Sequence, residues 1–553
     1  MKPMIKILIG RIALELNNKI GDVVFLNFPY TNYQKSKVRP AVIIAKSDFD
    51  DDYIVAYVTT EIDSYGFSQN SIRLNKEDLN SNDLKFNSLI RIDKVIVADS
   101  SMFQKTVGHL KGYKLQEVLK AWAMHQTKTY YNTIHKPQQT KKFIEGKSRV
   151  NYAGRVFDEK EMEYLVDSSL DFWLTYGEYS KKFEKKLSEF LNVRWTFLVN
   201  SGSSANLLAF YALTSPLLKE RQVKRGDEVI TVAAGFPTTV APIVQYGAIP
   251  VFVDMELTYF NIDTTQLEKA LSAKTKAVMI AHTLGNPFNI KAVKEFCDKH
   301  NLWLIEDNCD ALGSTYDGKL TGTWGDIGSS SFYPPHHMTM GEGGATYTDN
   351  PLLKKIMLSM RDWGRDCWCE SGVDNTCGAR FGQSFGSLPK GYDHKYVYSH
   401  FGFNLKVSDM QAAVGVAQLE KFPTFVQKRK ENFAKLYDGL KDIEEFILVQ
   451  TQPMSDPSWF GFMITLKDSV KFSRNKIVEY LENSNIQTRN LFAGNMLRHP
   501  MFDSLIENDE YRVVGSLQNT DKIMNDSFWI GLYPGMGDDA IEYMVNKIRE
   551  FIK

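Results

Sequence analysis

Three groups of residues stand where chemistry could be done. Residues 331–344, S-F-Y-P-P-H-H-M-T-M-G-E-G-G, carry His336 and His337 directly after Pro334 and Pro335. Proline suits neither a helix interior nor a central strand, so both imidazoles fall on a loop, where such a ring can move a proton near neutral pH. Residues 200–208, N-S-G-S-S-A-N-L-L, form a Gly-Ser turn that opens a helix. Free N–H groups and the positive dipole end at such a turn suit a phosphate. The third group is sulfur: Cys297, Cys309, Cys367, Cys369 and Cys377. An odd, sparse set in 553 residues argues against a disulfide framework and for a reducing, cytoplasmic setting. Three of the five lie between 367 and 377, a clustering that needs its own explanation.

These residues must be held by regular elements. Residues 1–112 hold four β-rich runs, at 21–30, 37–45, 53–60 and 88–98, which predict a small barrel. Residues 113–150 hold a helical pattern at 115–124, either the barrel's last helix or the first helix of the next domain, and a polar linker at 133–142. From 151 to 425 short apolar runs (228–233, 249–254, 277–282, 302–307) alternate with helical patterns such as 264–271 and 290–300. Such alternation predicts a parallel sheet covered on both faces, with ligands at the carboxyl ends of its strands. Asp254, His282 and Asp307 close three of those runs. Residues 426–553 carry more helix and read as a smaller second domain. Formal charge is zero, with 66 basic and 66 acidic residues, so bulk charge points to neither nucleic acid nor an anionic membrane. No run approaches the ~20 apolar residues of a membrane span. The opening residues 1–14 carry lysines and a short apolar run without a small-residue cleavage site, and do not read as a signal peptide.

The histidine loop, the Gly-Ser turn, G-F-P-T-T at 235–239, I-E-D-N-C-D-A-L-G at 305–313 and G-F-N-L-K-V-S-D-M-Q-A-A at 402–413 resemble, in order, motifs of the DegT/DnrJ/EryC1/StrS sugar aminotransferases. The resemblance implies an α/β chain of the aspartate-aminotransferase type (pyridoxal phosphate fold type I) with a small C-terminal domain, working as a homodimer. It implies that Gly202, Ser203 and the Ser331 hydroxyl hold the cofactor phosphate, that Phe236 stacks on the pyridine ring, and that Asp307 pairs with its nitrogen. It also implies that Asn404 reaches the phosphate across the dimer interface. In the family a lysine four residues after the Phe holds the cofactor covalently; here that position, counted from Phe332, is His336. An imidazole cannot form the link but keeps the proton step. The implied cofactor is therefore pyridoxamine phosphate held without a covalent bond, and the implied reaction is loss of the C3 hydroxyl from a 4-keto sugar. His337 could be the active ring instead, or both rings could merely pack; the spacing favours His336.

Two branches of the family use such a histidine. One, of the GDP-colitose type, is a dehydratase without redox coupling. The other, the CDP-4-keto-6-deoxyglucose 3-dehydrases, carries a 2Fe–2S cluster on C-x57-C-x-C-x7-C. Cys309, Cys367, Cys369 and Cys377 fit that spacing, and stretches such as G-S-L-P-K-G-Y-D-H-K and T-R-N-L-F-A-G-N resemble this branch from about residue 115 to the end. It implies a CDP-linked 4-keto-6-deoxyhexose as substrate, an NADH-dependent flavin and iron–sulfur reductase as electron donor, and a place in 3,6-dideoxyhexose synthesis for surface polysaccharide. The four thiols could also hold a zinc ion, or be unrelated buried thiols. Cys297 fits no such spacing. Arg489 is a candidate sugar-nucleotide contact or a plain surface arginine.

The N-terminal pattern G-D-V-V-F-x-x-F-P, R-P-A-V-I-I, V-T-T and I-R-I-D-K-V resembles the MazF/PemK-like toxins, SH3-like barrels that cleave RNA as dimers. That resemblance places Arg39 and Thr59 in catalysis and makes RNA a partner of this domain alone. Arg39 could equally be a solvated strand-end residue and Thr59 a plain β-former, and the domain could be a scaffold or regulatory module. Its nearly balanced charge speaks against RNA binding.

Overall fold

The computed structural model describes residues 18–29, 36–48, 51–62, 70–81 and 85–553. Residues 1–14, read against a signal peptide, lie outside these. The chain divides into two compact units, Met1–Gln139 and Thr140–Lys553.

In the first unit six antiparallel strands lie in the spatial order Ser71–Leu74, Ser88–Asp99, Asp52–Thr59, Ser36–Lys46, Asp22–Pro29, Phe103–His109. Side chains alternate across the sheet. Val23, Val42, Ile90 and Ile92 fill one core and Val24, Leu26, Ile43 and Val55 a second. The helix Gly112–Tyr130 sets Val118, Leu115 and Leu119 against the first of these cores. It therefore belongs to the β-rich unit, which settles a choice the sequence left open.

The second unit is built on an eight-stranded sheet. Its order is Arg512–Val513, Ile249–Val253, Glu228–Val232, Thr275–Ala281, Trp303–Asp307, Ile327–Ser331, Gly344–Thr348, Trp195–Val199. Only Gly344–Thr348 runs against the others. The five-residue strands from Glu228, Ile249, Trp303 and Ile327 are buried along their whole length, as a sheet covered on both faces requires. A four-stranded antiparallel sheet (Phe446–Leu448, Gly461–Leu466, Ser527–Gly531, Thr488–Arg489) forms the smaller C-terminal part. The helix Asp409–Leu440 runs unbroken through residue 425 and joins the two parts.

That long helix also completes another element. The helix Glu178–Leu191 starts behind Gly177, which has no side chain to cap it. The Asp409 carboxylate takes over, accepting from Gly177 N (3.0 Å), Tyr179 N (3.1 Å), Ser180 N (2.8 Å) and Ser180 Oγ (2.8 Å). Removing a buried, charge-assisted acceptor leaves several donors unsatisfied. Asp409→Ala is expected to destabilise the second unit by roughly 3 kcal/mol, read as a lower urea midpoint, and an unchanged midpoint would show that water replaces the carboxylate.

Candidate active site

The carboxyl ends of the strands that finish at Val232, Ala281, Asp307 and Ser331 open into a cavity of about 470 Å³. Its wall brings together Gly202, Ser203, Phe236, Asp307, Cys309, Ser331, His336 and Arg489. Gly202 is obligatory there: a Cβ on it would lie 2.3 Å from the Ser331 Cβ. Ser201 caps the helix Gly202–Ala212 by accepting from Ser204 N at 3.0 Å. The first-turn N–H groups ahead of Ser204 have no helical acceptor and are available to an anion.

Three strand-end groups stood out in the sequence, and only one serves the cavity. Asp254 caps a helix, accepting from Asn519 N and Thr520 N. His282 is fully buried against Glu306 at 3.0 Å. Asp307 lines the cavity, and its Oδ2 accepts from Asn206 Nδ2 and Thr239 Oγ1, both at 2.7 Å. Its Oδ1 accepts from Cys309 N at 3.1 Å. Asn206 is itself fixed by Ser329 Oγ at 2.6 Å. The carboxylate thus has neutral donors and no paired cation, an arrangement that a protonated ring nitrogen would complete.

The two histidines of the loop have different work. His337 is buried outside the cavity wall, with Nε2 on the Ser458 carbonyl at 2.7 Å. His336 lines the cavity, stacks on Phe460 (centroids 5.2 Å apart) and holds Nδ1 3.5 Å from Asp310 Oδ1 with no hydrogen-bond partner. Burial pushes the His336 ring down to about 4 against the opposing pull of Asp307, so it is neutral at pH 7. Burial, then the Asp307 charge, pushes the Asp310 carboxyl well up. The loop is tied down by Arg429, fully buried, which donates to the carbonyls of His336 (3.2 Å) and Trp459 (3.1 Å).

The cysteines divide. Cys309 sits in the cavity wall, where burial and Asp307 raise its thiol. Cys367, Cys369 and Cys377 lie together around a separate small hollow with Asp374, Asn375, Arg380, His394 and Lys395. A hydrogen bond with His394 lowers the Cys377 thiol. For Cys369 burial raises the thiol, and hydrogen bonds from Thr376 outweigh it. Among the described residues of one chain no group of three or more His, Cys, Asp or Glu side chains is arranged to hold a metal ion. Cys309 and the other three thiols line different hollows of one chain. Cys297 is buried in the core.

Asn404 is exposed, paired with Asp362 in a β-bridge, and stands outside the cavity wall. Arg489 lies with its guanidinium 4.0 Å from the Tyr152 ring centroid, at the cavity. Tyr152, Thr238, Asp310, Phe460 and Trp529 complete much of the wall. Sequence reading missed them because aromatic and small polar residues look like core and turn residues until the chain brings them together. In the first unit Arg39 pairs with Leu26 and Thr59 with Leu89 across the sheet. The Arg39 guanidinium stands over Tyr57 at 5.4 Å, while Thr59 is buried with Oγ1 accepting from Glu61 N.

Residues 156–549 match the DegT/DnrJ/EryC1/StrS aminotransferase family, and the chain belongs to it. Residues 19–124 match the PemK-like, MazF-like toxins of type II toxin-antitoxin systems. The chain is 57% identical over 412 residues to the lipopolysaccharide biosynthesis protein RfbH of Salmonella typhimurium, covering 74% of this chain and 93% of the relative. It is 48% identical over 418 residues to the dTDP-4-dehydro-2,6-dideoxy-D-glucose 3-dehydratase of Saccharopolyspora spinosa, covering 76% of this chain and 90% of the relative. A solved E. coli GDP-4-keto-6-deoxy-D-mannose-3-dehydratase with bound hydrated pyridoxal phosphate superimposes with a TM-score of 0.65 at 27% identity, over 72% of this chain and all of that one. The larger unit has the pyridoxal phosphate fold type I. The cavity suits a pyridine phosphate: open helix N–H groups beside Gly202 for the phosphate, Phe236 and Asp307 for the ring.

Gly202→Ala drives a methyl group into Ser331. The variant is expected to bind pyridoxal phosphate at least tenfold more weakly, about 1.4 kcal/mol, and to unfold at a lower urea midpoint. Titration followed by absorbance checks this.

Proposed function

We propose that this protein removes the C3 hydroxyl from a nucleotide-linked 4-keto-6-deoxyhexose, carried by CDP, using pyridoxamine phosphate and a 2Fe–2S cluster. Electrons reach it from a separate NADH-dependent flavin and iron–sulfur reductase, and the product feeds deoxysugar synthesis for surface polysaccharide. The enzyme is cytoplasmic and dimeric. The observation that carries this reading is His336: a neutral imidazole in the cavity wall, at the position where the family keeps a lysine. The relatives named as 3-dehydratases add support. The CDP carrier and the cluster are supported by motif resemblance, since relatives are named for dTDP and GDP sugars.

When bound, pyridoxamine phosphate supplies an amine for the sugar ketone and a ring that accepts an electron pair. Asp307, held by Asn206 and Thr239, keeps the ring nitrogen protonated. Gly202, Ser203 and Ser331 hold the phosphate. Phe236 covers one face of the ring. His336 takes a proton, and burial keeps its ring neutral beforehand. Arg429 holds the loop so that the imidazole cannot swing away. Tyr152 and Arg489 offer an aromatic face and a cation to the sugar nucleotide.

His336→Lys is expected to bind pyridoxal phosphate covalently, detected as a permanent label after borohydride, and to lose dehydration. Full turnover by His336→Ala would remove the ring from the mechanism. The folded-state value for His336 lies below its ordinary 6.5, so the neutral form prevails above pH 6.5 and is lost only toward about 4. Turnover is therefore expected to be insensitive to this group from pH 8 to 6 and to fall as pH nears 4. The residual rate of His336→Asn is expected to lack that limb. Iron and sulfide analysis of anaerobically purified protein separates this reading from a dehydratase without redox coupling, which would contain neither.

A second reading concerns the first unit. Arg39 and Lys94, 5.4 Å and 4.7 Å from the Tyr57 ring centroid, favour RNA cleavage there. Single-stranded RNA incubated with the full chain is expected to be cut, and Arg39→Ala to spare it. Intact RNA with the unaltered chain would count against this activity.

A further inference from the structure

The edge strand Trp195–Val199 of the eight-stranded sheet reaches two cavities. Its last residue leads through Asn200 and Ser201 to Gly202 in the wall of the active-site cavity. Its first residue, Trp195, lines a second cavity of about 390 Å³, and the two cavities share no wall residue. Four residues of extended chain, roughly 13 Å, separate the ends of that strand. The second cavity lies wholly within the larger unit, and small-molecule sites fill roughly 300–1,000 Å³.

Its wall combines aromatic rings with positive charge. Trp195 and Trp368 supply two indoles, and Trp368 is nearly half exposed. The helix Pro351–Arg361 supplies Lys354 and Lys355, and Arg365 follows it. Asp366 is the carboxylate of this wall and is already engaged, with Oδ1 2.9 Å from His394 Nε2 and Oδ2 accepting from Ser399 Oγ at 2.7 Å. Among the described residues no ion pair holds any of the three cations. Arg365 Nε is buried without a hydrogen-bond partner, although the guanidinium lies over the Trp363 ring, 4.5 Å from its centroid. A buried N–H of that kind costs free energy until an acceptor arrives. Lys354 Nζ stands 6.0 Å from the Trp195 ring centroid, so charge and ring lie side by side. The wall is also preformed at His400, whose Nδ1 lies 2.9 Å from Ser359 Oγ and whose Nε2 lies 2.7 Å from Ser215 Oγ.

A ligand that uses these groups together carries a flat ring for the indoles and several anionic oxygens for the cations. Bases stack on aromatic side chains, and Lys and Arg hold phosphate oxygens. An inorganic anion would leave the indoles unused, and an uncharged aromatic compound would leave Arg365 Nε without an acceptor. We propose that this second cavity is a binding site for a nucleoside phosphate, with the base against Trp195 and Trp368 and the phosphates on Lys354, Lys355 and Arg365. The site is separate from the active-site cavity and stands whether or not the dehydration and cluster readings hold.

Isothermal titration calorimetry of the full chain loaded with pyridoxal phosphate tests this. The probes are CDP and ADP, with inorganic pyrophosphate as the phosphate part alone. Three chains are compared: the unaltered one, a Lys354→Glu, Lys355→Glu double variant and Trp368→Ala. Circular dichroism and the absorbance of bound pyridoxal phosphate confirm that each variant is folded and its active-site cavity intact. At least one nucleotide is expected to show a binding event that the double variant weakens about tenfold or more. Any nucleotide bound in the active-site cavity stays bound in that variant, so the two sites are told apart. Trp368→Ala is expected to weaken the same event about tenfold through lost stacking and to leave pyrophosphate binding unchanged. Isotherms for both nucleotides that the double variant does not alter overturn the proposal, as does the absence of any binding by either nucleotide. Pyrophosphate bound as tightly as the nucleotides, with no effect of Trp368→Ala, shows a site for anions alone and overturns the nucleoside assignment.

Discussion

The site depends on a buried carboxylate that has no cation of its own. Asp307 ends a fully buried strand, and Asn206, Thr239 and the Cys309 main chain satisfy its oxygens with neutral donors. Burying a charge that way is costly unless something completes it. The donors fix the carboxylate in place and leave its charge directed at the cavity. Its field reaches the other ionisable groups in the wall. With burial it raises the Asp310 carboxyl, and it acts on His336, where burial wins and the ring stays neutral. Two carboxyl groups and one neutral imidazole therefore share one cavity.

The histidine loop shows how distant residues fix the direction of one side chain. Pro334 and Pro335 force the turn, and Arg429 clamps the backbone after it through the His336 carbonyl. Adjacent residues on that turn point in different directions, His336 into the cavity and His337 onto the Ser458 carbonyl. Arg429 is entirely buried, and burial lowers it to about 9. The fold accepts that cost where the loop meets Trp459 and Phe460 of the C-terminal part. The position of the base is thus set by residues about a hundred positions away in the chain.

Much of this was legible beforehand. The strand–helix alternation after residue 151 follows from buried apolar runs, which only a covered sheet can accommodate, and the Gly-Ser turn follows from the close approach of Gly202 to Ser331. The β-rich first unit followed from its alternating runs. Other features were not legible. Asp254, His282 and Asp307 look alike as strand ends, yet two are spent on a helix cap and a buried hydrogen bond. Tyr152 and Trp529, which help close the cavity, are ordinary aromatics in the sequence.

By itself, the sequence determined the local chemistry: an imidazole in place of an amine, a turn only glycine permits, thiols spaced in a recognisable way, and two kinds of periodicity that specify a β-rich unit and an α/β unit. Those are properties of neighbouring residues, set by backbone sterics and side-chain period. Tertiary structure decided which of those groups meet. It turned His336 inward and His337 away, tied Asp307 to Asn206 and Thr239, and parted Cys309 from the other three thiols. The physical reason is that contact between distant segments is settled by packing and by the satisfaction of buried polar groups, and neither is encoded in spacing along the chain.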